Sequence, residues 1–337
     1  MHTPKKFIII GEGECTEPEY FERIKVNRND LGLSSLVSFK QIPRLEMDRN
    51  ETDINKMVDI AIDYVTYCME SKLSRRLFVS LTFETAYRRC VDGNVYLDIT
   101  GDNRSLLDLR KRINKELDDV KIDRYIETKE EMDKAEKICR DVFSEVLKKR
   151  ISEYLPLFPL KKIQIMPSDE ICIIHDRDYS ERWFPDKKYD DVVKRVSKLG
   201  NSPRYRLIIT YPKFELWMLL HSMDFDVNSV DMRRLTDYSR KEPSPHNGYD
   251  EKPGPSVYVD KLMDEYVPDN IWQPPSKKRI DPCNFDKVLI KGFSKALEDS
   301  NNPRFTRDIN LLRNKPGTML GVLFEEMIDD KGESNHD

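Results

Sequence analysis

Residues 6–24 read KFIIIGEGECTEPEYFERI and contain a complete strand, turn and helix. The run Lys6–Ile10 is mostly apolar and predicts a β-strand, and the glycines at positions 11 and 13 predict the turn that follows it. Thr16 fits the N-cap of a helix, and Glu19, three residues later, completes a capping box. This order of elements is the usual opening of an open α/β sheet.

Strand and helix patterns continue to alternate beyond this unit. The spacing predicts further strands at Leu36–Ile42, Glu170–Ile174 and Tyr205–Thr210, and helices at Thr52–Met69, Tyr189–Leu199 and Phe214–His221. The short apolar strand that begins at Glu170 is typical of a parallel strand covered on both faces. Because strands alternate with helices, we expect parallel strands joined by right-handed crossovers. The predicted fold class is α/β, with an open, mostly parallel sheet flanked by helices.

One long segment interrupts this alternation. Residues 70–162 combine dense charge with amphipathic stretches at Ser105–Leu117 and Lys129–Leu155, which predicts a large, mainly helical insertion. The insertion divides the sheet domain into a first part, residues 1–69, and a second part, residues 163–240.

A proline-rich segment follows the sheet domain. Residues 241–284 contain eight of the chain's 19 prolines, so we expect a long loop in which regular structure is interrupted. Residues 285–337 return to helical patterning and end in a charged tail that we expect to be frayed.

Composition limits the classes of function. The chain has 337 residues, with 57 basic and 61 acidic side chains and a net charge of −4, which excludes a globally basic nucleic-acid coat. A polyanionic substrate would therefore have to meet local basic patches or a metal ion. The 6 cysteines contain no CxxC pair and fit reduced, packed thiols better than disulfides or a zinc site. We find no run of about 18 apolar residues, so we expect a cytoplasmic protein that does not interact with membranes.

Acidic residues follow three of the predicted strands, at the edge where open α/β sheets bind ligands. Glu12 lies between two glycines that let the backbone approach a ligand closely. Asp176 and Asp178 are two residues apart, so in an extended chain both side chains point one way and Arg177 points the other. Because neighbouring carboxylates repel each other, a hard cation such as Mg²⁺ or Mn²⁺ is their natural occupant.

Glu215 is a further acidic candidate, on a helix that is apolar nearly all round, where a carboxylate needs a partner or a helix end. Each candidate also has a purely structural interpretation. Glu12 fits a turn near a helix N-terminus, and the Asp-x-Asp pair fits a turn or N-cap. His175 and His221, taken singly, are more often packed than catalytic. The joint pattern favours a functional site over these separate explanations.

Four segments together resemble the RloB-like family, a branch of the Toprim domains found in topoisomerases, primases and OLD-type nucleases. They are FIIIGEGECTEPEYF at 7–21, IIHDRDY at 173–179, YPKFELWMLLH at 211–221 and NKPGTMLGVL at 314–323. The chain departs from the family pattern in the long separation of the first two segments. Its helical region around residues 70–160 has no counterpart that the pattern identifies.

The resemblance implies a Toprim-like sheet and a metal-dependent nuclease. Similar proteins use the first glutamate as general acid or base and the Asp-x-Asp pair to hold Mg²⁺, which assigns these roles to Glu12, Asp176 and Asp178. Glu12 could instead complete the metal site as a further ligand, and the sequence leaves both roles open. Glu17 and Glu215 occupy the positions that help to bind a second metal. The systems in which similar proteins occur imply that this chain is the toxic effector of a prokaryotic antiphage, abortive-infection system. Its activity would be controlled by a partner ATPase or another sensor.

Basic residues near the acidic segments are the candidates for substrate binding. Arg177 and Lys213 adjoin the acidic motifs, and Lys187 and Lys188 follow the Asp-x-Asp turn. RNA, including tRNA, and DNA both stay open as substrates, as does assembly into a homo-oligomer. Two other functions also stay open. One is a non-enzymatic binding or assembly module of a defence complex, and the other is a phosphohydrolase that acts on nucleotides.

Overall fold

The computed structural model of the chain describes residues 5–12, 16–42, 53–92, 103–146, 162–177, 186–239, 241–243, 251–267 and 282–329. In chain order the elements are β1 (Lys5–Gly11), α1 (Thr16–Val26), β2 (Val37–Gln41), α2 (Ile54–Glu70), β3 (Leu73–Ser74), α3 (Arg75–Asp92), α4 (Asn103–Asp119), β4 (Tyr125–Ile126), α5 (Lys129–Val146), β5 (Glu170–Asp176), α6 (Asp186–Lys198), β6 (Arg204–Tyr211), α7 (Glu215–Leu219), β7 (Lys241–Pro243), β8 (Glu251–Pro253), α8 (Gly254–Tyr266), α9 (Pro282–Ser300), β9 (Gly317–Thr318) and α10 (Leu320–Asp329).

The chain divides into two compact units. Met1–Gln41 and Met166–Asp337 form the sheet unit, and Ile42–Ile165 form the helical unit. None of the described helices combines the length and the apolar composition that crossing a bilayer requires.

The sheet has five strands in the order β2-β1-β5-β6-β9. The pairs β1–β2, β1–β5 and β5–β6 are parallel, and β9 joins β6 in the antiparallel direction. Ile171–Ile174 in the central strand β5 are completely buried, as expected of a parallel strand covered on both faces. The predicted α/β fold class, with an open, mostly parallel sheet flanked by helices, is confirmed and is consistent with a Toprim-like fold.

The last strand, β9, was not predicted, because two residues are too few to show a period of two. Gly317 lies opposite Tyr211 of β6, and the hydroxyls of Thr318 and Thr210 are 2.9 Å apart. Gly317 has a φ of +154°, and a Cβ at this position would lie 2.0 Å from the backbone oxygen of Thr306. A glycine is therefore required where the 314–323 segment joins the sheet.

The helical unit contains the segment predicted as a helical insertion, and its described residues form α3, α4, α5 and the short antiparallel pair β3–β4. Its boundary differs from the predicted one at residue 69. The contacts divide the chain at Gln41, so α2 belongs to the helical unit, where it packs against β3 and α3. The helical periodicity of α2 was visible in the sequence, but its packing partners were not.

The proline-rich segment is not a single loop, which corrects the prediction for residues 241–284. Its described parts form the short hairpin β7–β8 and the helix α8. The helix fits because the chain has no proline between Pro255 and Pro268, and Pro255 lies in the first helical turn, where its missing N–H costs nothing. The predicted helical C-terminal segment contains α9 and α10, and the tail from residue 330 lies outside the described residues.

Candidate functional site

The first and second acidic motifs meet at the carboxyl edge of the sheet. Gly11 at the end of β1 pairs with Ile174 of β5, so the residues after these positions are neighbours although they are far apart in sequence. The Oε2 atom of Glu12 accepts a 3.0 Å hydrogen bond from the backbone N–H of Asp176 and lies 3.4 Å from Nδ1 of His175. The Glu12 side chain is 20% exposed, so solvent reaches this contact. Parallel pairing thus brings together two of the predicted acidic residues.

Glu17 lies beside the same strand end. A Cβ on Gly11 would be 2.9 Å from Cβ of Glu17, so the glycine lets the first turn of α1 approach the end of β1. The Glu17 residue is buried, at 4% exposure. Glu17 is therefore buried beside the end of β1, and its role as a metal ligand stays a prediction.

The third acidic candidate is part of a buried charge cluster after β6. Lys213 forms an ion pair with Asp260 of α8, and its Nζ lies 3.9 Å from Oε2 of Glu215. All three side chains are at most 12% exposed. Lys213 is therefore engaged by two carboxylates in this structure, and its predicted substrate contact stays a prediction.

Asp260 is a charged residue at this edge that sequence reasoning missed. It lies in the segment predicted as a loop, and no motif includes it. The one signal available was its place among apolar residues, VYVDKLM at 257–263, where a buried carboxylate needs a partner.

The predicted basic residues around the Asp-x-Asp motif differ in exposure. Arg177 is fully buried, and its Nη2 donates a 3.0 Å hydrogen bond to Oδ1 of Asp186 at the start of α6. Burial lowers the pKa of Arg177, and the charge of Asp186 opposes this effect. Lys187 is exposed and Lys188 is half-buried in the first turn of α6. Phosphate contacts by these residues stay predictions, and the Arg177 side chain has protein partners here.

The Phe-Glu-x-Trp-x-x-x-His segment supplies a buried polar chain that joins two motifs. Trp217 Nε1–H donates to the Tyr20 hydroxyl over 2.7 Å, and that hydroxyl lies 3.3 Å from Nε2 of His221. The His221 Nδ1 faces the backbone oxygen of Trp217 at 3.0 Å, so Nδ1 carries the proton and Nε2 accepts from Tyr20. Burial lowers the pKa of His221 to about 4 and raises that of Tyr20, which keeps both groups neutral. His221 is therefore a packed histidine that fixes α1 against α7.

The donor set at the carboxyl edge fits a hard divalent cation in its chemistry. Glu12 and Asp176 supply carboxylate oxygens, and a carboxylate that accepts one N–H bond retains further lone pairs for a metal. Within the described residues, no group of three or more His, Cys, Asp or Glu side chains is arranged to hold a metal ion. Asp178, the third predicted ligand, lies outside the described residues.

The fold and these contacts define an α/β protein whose open, mostly parallel sheet carries acidic residues at its carboxyl edge. Residues 96–327 match the model of the RloB-like protein family. The chain belongs to the RloB-like family. No curated protein and no solved structure matches the chain.

The residues that match the family model include some of the predicted motifs and part of the helical region. The match includes the Asp-x-Asp motif and the 211–221 and 314–323 segments, whereas Glu12 and the opening motif precede it. It also begins inside the predicted insertion, so the expectation that this helical region has no family counterpart is wrong from residue 96 onward.

Proposed function

We propose that the chain is a Mg²⁺- or Mn²⁺-dependent nuclease that hydrolyses phosphodiester bonds of nucleic acid. The observation that carries the proposal is the meeting of Glu12 with Asp176 across two neighbouring parallel strands, at the sheet edge where such folds bind ligands. Membership of the RloB-like family supports it. In the cytosol, such an enzyme would act as the toxic effector of an antiphage system, with a partner ATPase or other sensor as its control.

Asp176 and Asp178 would hold the metal, with Glu17 and Glu215 as the candidates for a second ion. When bound, the ion supplies charge neutralisation at the phosphate and acidifies a coordinated water. Glu12 is the residue best placed to take a proton from the attacking water, because its carboxylate is partly exposed while the Asp176 N–H fixes its orientation.

Three further residues of this edge have distinct surroundings. His175 is buried against Glu12, with Nδ1 at 3.4 Å from the carboxylate oxygen, so the ring restricts the positions that Glu12 can adopt. Lys213 adds a positive charge beside Glu215 and offsets the repulsion between the buried carboxylates of this edge. Lys187 at the exposed start of α6 is the candidate for a phosphate contact.

The near-zero net charge favours a compact or presented target, such as tRNA, over long duplex DNA, because duplex tracking depends on an extended basic surface. Purified full-length chain with Mn²⁺ should cleave end-labelled tRNA, single-stranded RNA or DNA. Glu12→Gln and Asp176→Asn should each lower the rate of cleavage by at least about 100-fold.

Two matched variants control for the substitutions themselves. Asp224→Asn and Glu298→Gln make the same chemical changes at exposed positions of the sheet unit and should cleave like the natural chain. If the chain releases phosphate from free nucleotides but does not cleave a polymer, it is a phosphohydrolase and the nuclease proposal is wrong. Inactivity on every substrate, with a cognate sensor present, would favour a binding module and contradict the proposal.

A further inference from the structure

Arg177 lies between the two aspartates of the Asp-x-Asp motif. It has one of the largest fully buried side chains among the described residues. Its guanidinium lies over the ring of Tyr189, 5.1 Å from the centroid, and bonds to Asp186. Both partners belong to the first turn of α6. A residue in this position does not reach solvent, so phosphate binding does not account for it in this conformation.

The backbone of Arg177 is held on both sides as well. Its N–H donates a 2.7 Å hydrogen bond to the backbone oxygen of Thr210 on β6, and its carbonyl oxygen accepts a 3.4 Å bond from the Tyr238 hydroxyl. Successive side chains of an extended chain point to opposite faces. A guanidinium fixed on one face therefore constrains the backbone at the strand end, from which the Asp176 side chain departs on the other face.

The elements that hold Arg177 are themselves anchored. The Tyr189 hydroxyl donates to the backbone oxygen of Ile309. Nη1 of Arg313 lies 3.3 Å from Oδ2 of Asp190, and Nε of Arg313 lies 3.9 Å from Asp186. The start of α6 is thus tied to the segment that leads into β9.

Packing alone does not explain a buried arginine at this point. Removing a guanidinium from water is costly, and an apolar side chain of similar volume commonly gives equal or greater stability. A buried charge in such a place is better explained by the orientation that it imposes on its neighbours.

We propose that Arg177 is a positioning residue, which holds Asp176 in the direction required by the proposed metal site through its contacts with Asp186 and Tyr189. The inference rests on the proposed function for the identity of the ligand. In this role Arg177 supports the geometry of the site, and other residues contact the substrate.

The test compares Arg177→Met and Arg177→Lys with the natural full chain. Hydrogen exchange followed by mass spectrometry measures protection of the amides of Asp176 and Arg177, and electron paramagnetic resonance measures Mn²⁺ affinity. Arg177→Met should fold and keep the protection of Ile173 within β5. Exchange at the strand end should become at least about 10-fold faster, and Mn²⁺ affinity should fall about 10-fold or more. Arg177→Lys should restore part of both.

Asp186→Asn provides the same test if Arg177→Met does not fold, because the Asp186 side chain is half exposed and keeps its shape in the amide. Unchanged exchange at the strand end, or unchanged Mn²⁺ affinity in a variant with faster exchange, overturns the inference. If the natural chain binds no Mn²⁺, the proposed metal site fails, while the exchange measurement still decides whether Arg177 holds the strand end.

Discussion

The buried His221 makes the stability of the sheet unit depend on pH in a defined window. Its pKa is lowered to about 4 in the folded chain, whereas an unfolded histidine titrates near its ordinary value of 6.5. Between these values the unfolded chain takes up a proton that the folded chain refuses. The free energy of unfolding should therefore fall as the pH decreases from 6.5 to 4.

The size of the effect follows from the two pKa values. A gap of about 2.5 pH units corresponds to roughly 3 kcal/mol, at about 1.36 kcal/mol per unit. Other groups also titrate in this range, so the contribution of His221 is obtained by comparison with His221→Gln, which cannot take up the proton. The variant should be less stable near pH 7, because it disturbs the bonds to Tyr20 and Trp217, and it should lose less stability on acidification.

Urea unfolding at a series of pH values, followed by tryptophan fluorescence, measures this difference. Trp217 is fully buried, with its ring centroid 5.0 Å from that of His221, so its fluorescence reports the unfolding of the packing around His221. The curves for the two proteins should converge by up to roughly 3 kcal/mol between pH 6.5 and 4. Parallel curves would show that His221 has the same pKa in the folded and unfolded chains, and they would refute the lowering of its pKa by burial.

Two further predictions concern packing and the opposite edge of the sheet. A Cβ on Gly292 of α9 would lie 1.8 Å from the backbone oxygen of His221, so Gly292→Ala should lower the free energy of unfolding by about 3 kcal/mol or more. A Cβ on Gly200 would have nothing within 4 Å, so Gly200→Ala is the control and should not destabilise the chain. Thermal unfolding of both variants measures the difference. Glu170 at the amino end of β5 accepts a 2.9 Å hydrogen bond from Arg206. Glu170→Gln should therefore cost about 2–3 kcal/mol of stability in urea titrations and leave Mn²⁺ binding unchanged, because the two ends of β5 lie at opposite edges of the sheet.

The parts of the fold that the sequence predicted are those with long, regular patterns. The strands β1, β5 and β6 and the helix α6 follow apolar runs or helical spacing, and the structure differs from the predicted bounds by only a few residues. The helix α8 was missed because the surrounding prolines were given more weight than the proline-free stretch between them.

The candidate site shows the same division between local and tertiary information. The sheet edge was predictable from strand ends, so the meeting of Glu12 and Asp176 follows from the topology. The burial of Arg177 depends on Asp186 and Tyr189, which approach it only in three dimensions. Likewise, Asp260 reaches Lys213 from an element that no motif identifies.

Divalent-cation binding at the carboxyl edge is the property on which the proposed nuclease activity depends most directly. A Mn²⁺ titration of the full chain, followed by electron paramagnetic resonance, should reveal at least one site in the natural protein. Asp176→Asn should weaken that site by about 10-fold or more, and Asp224→Asn should leave it unchanged. Equal Mn²⁺ binding by the natural chain and Asp176→Asn, or no binding by either, would contradict the account.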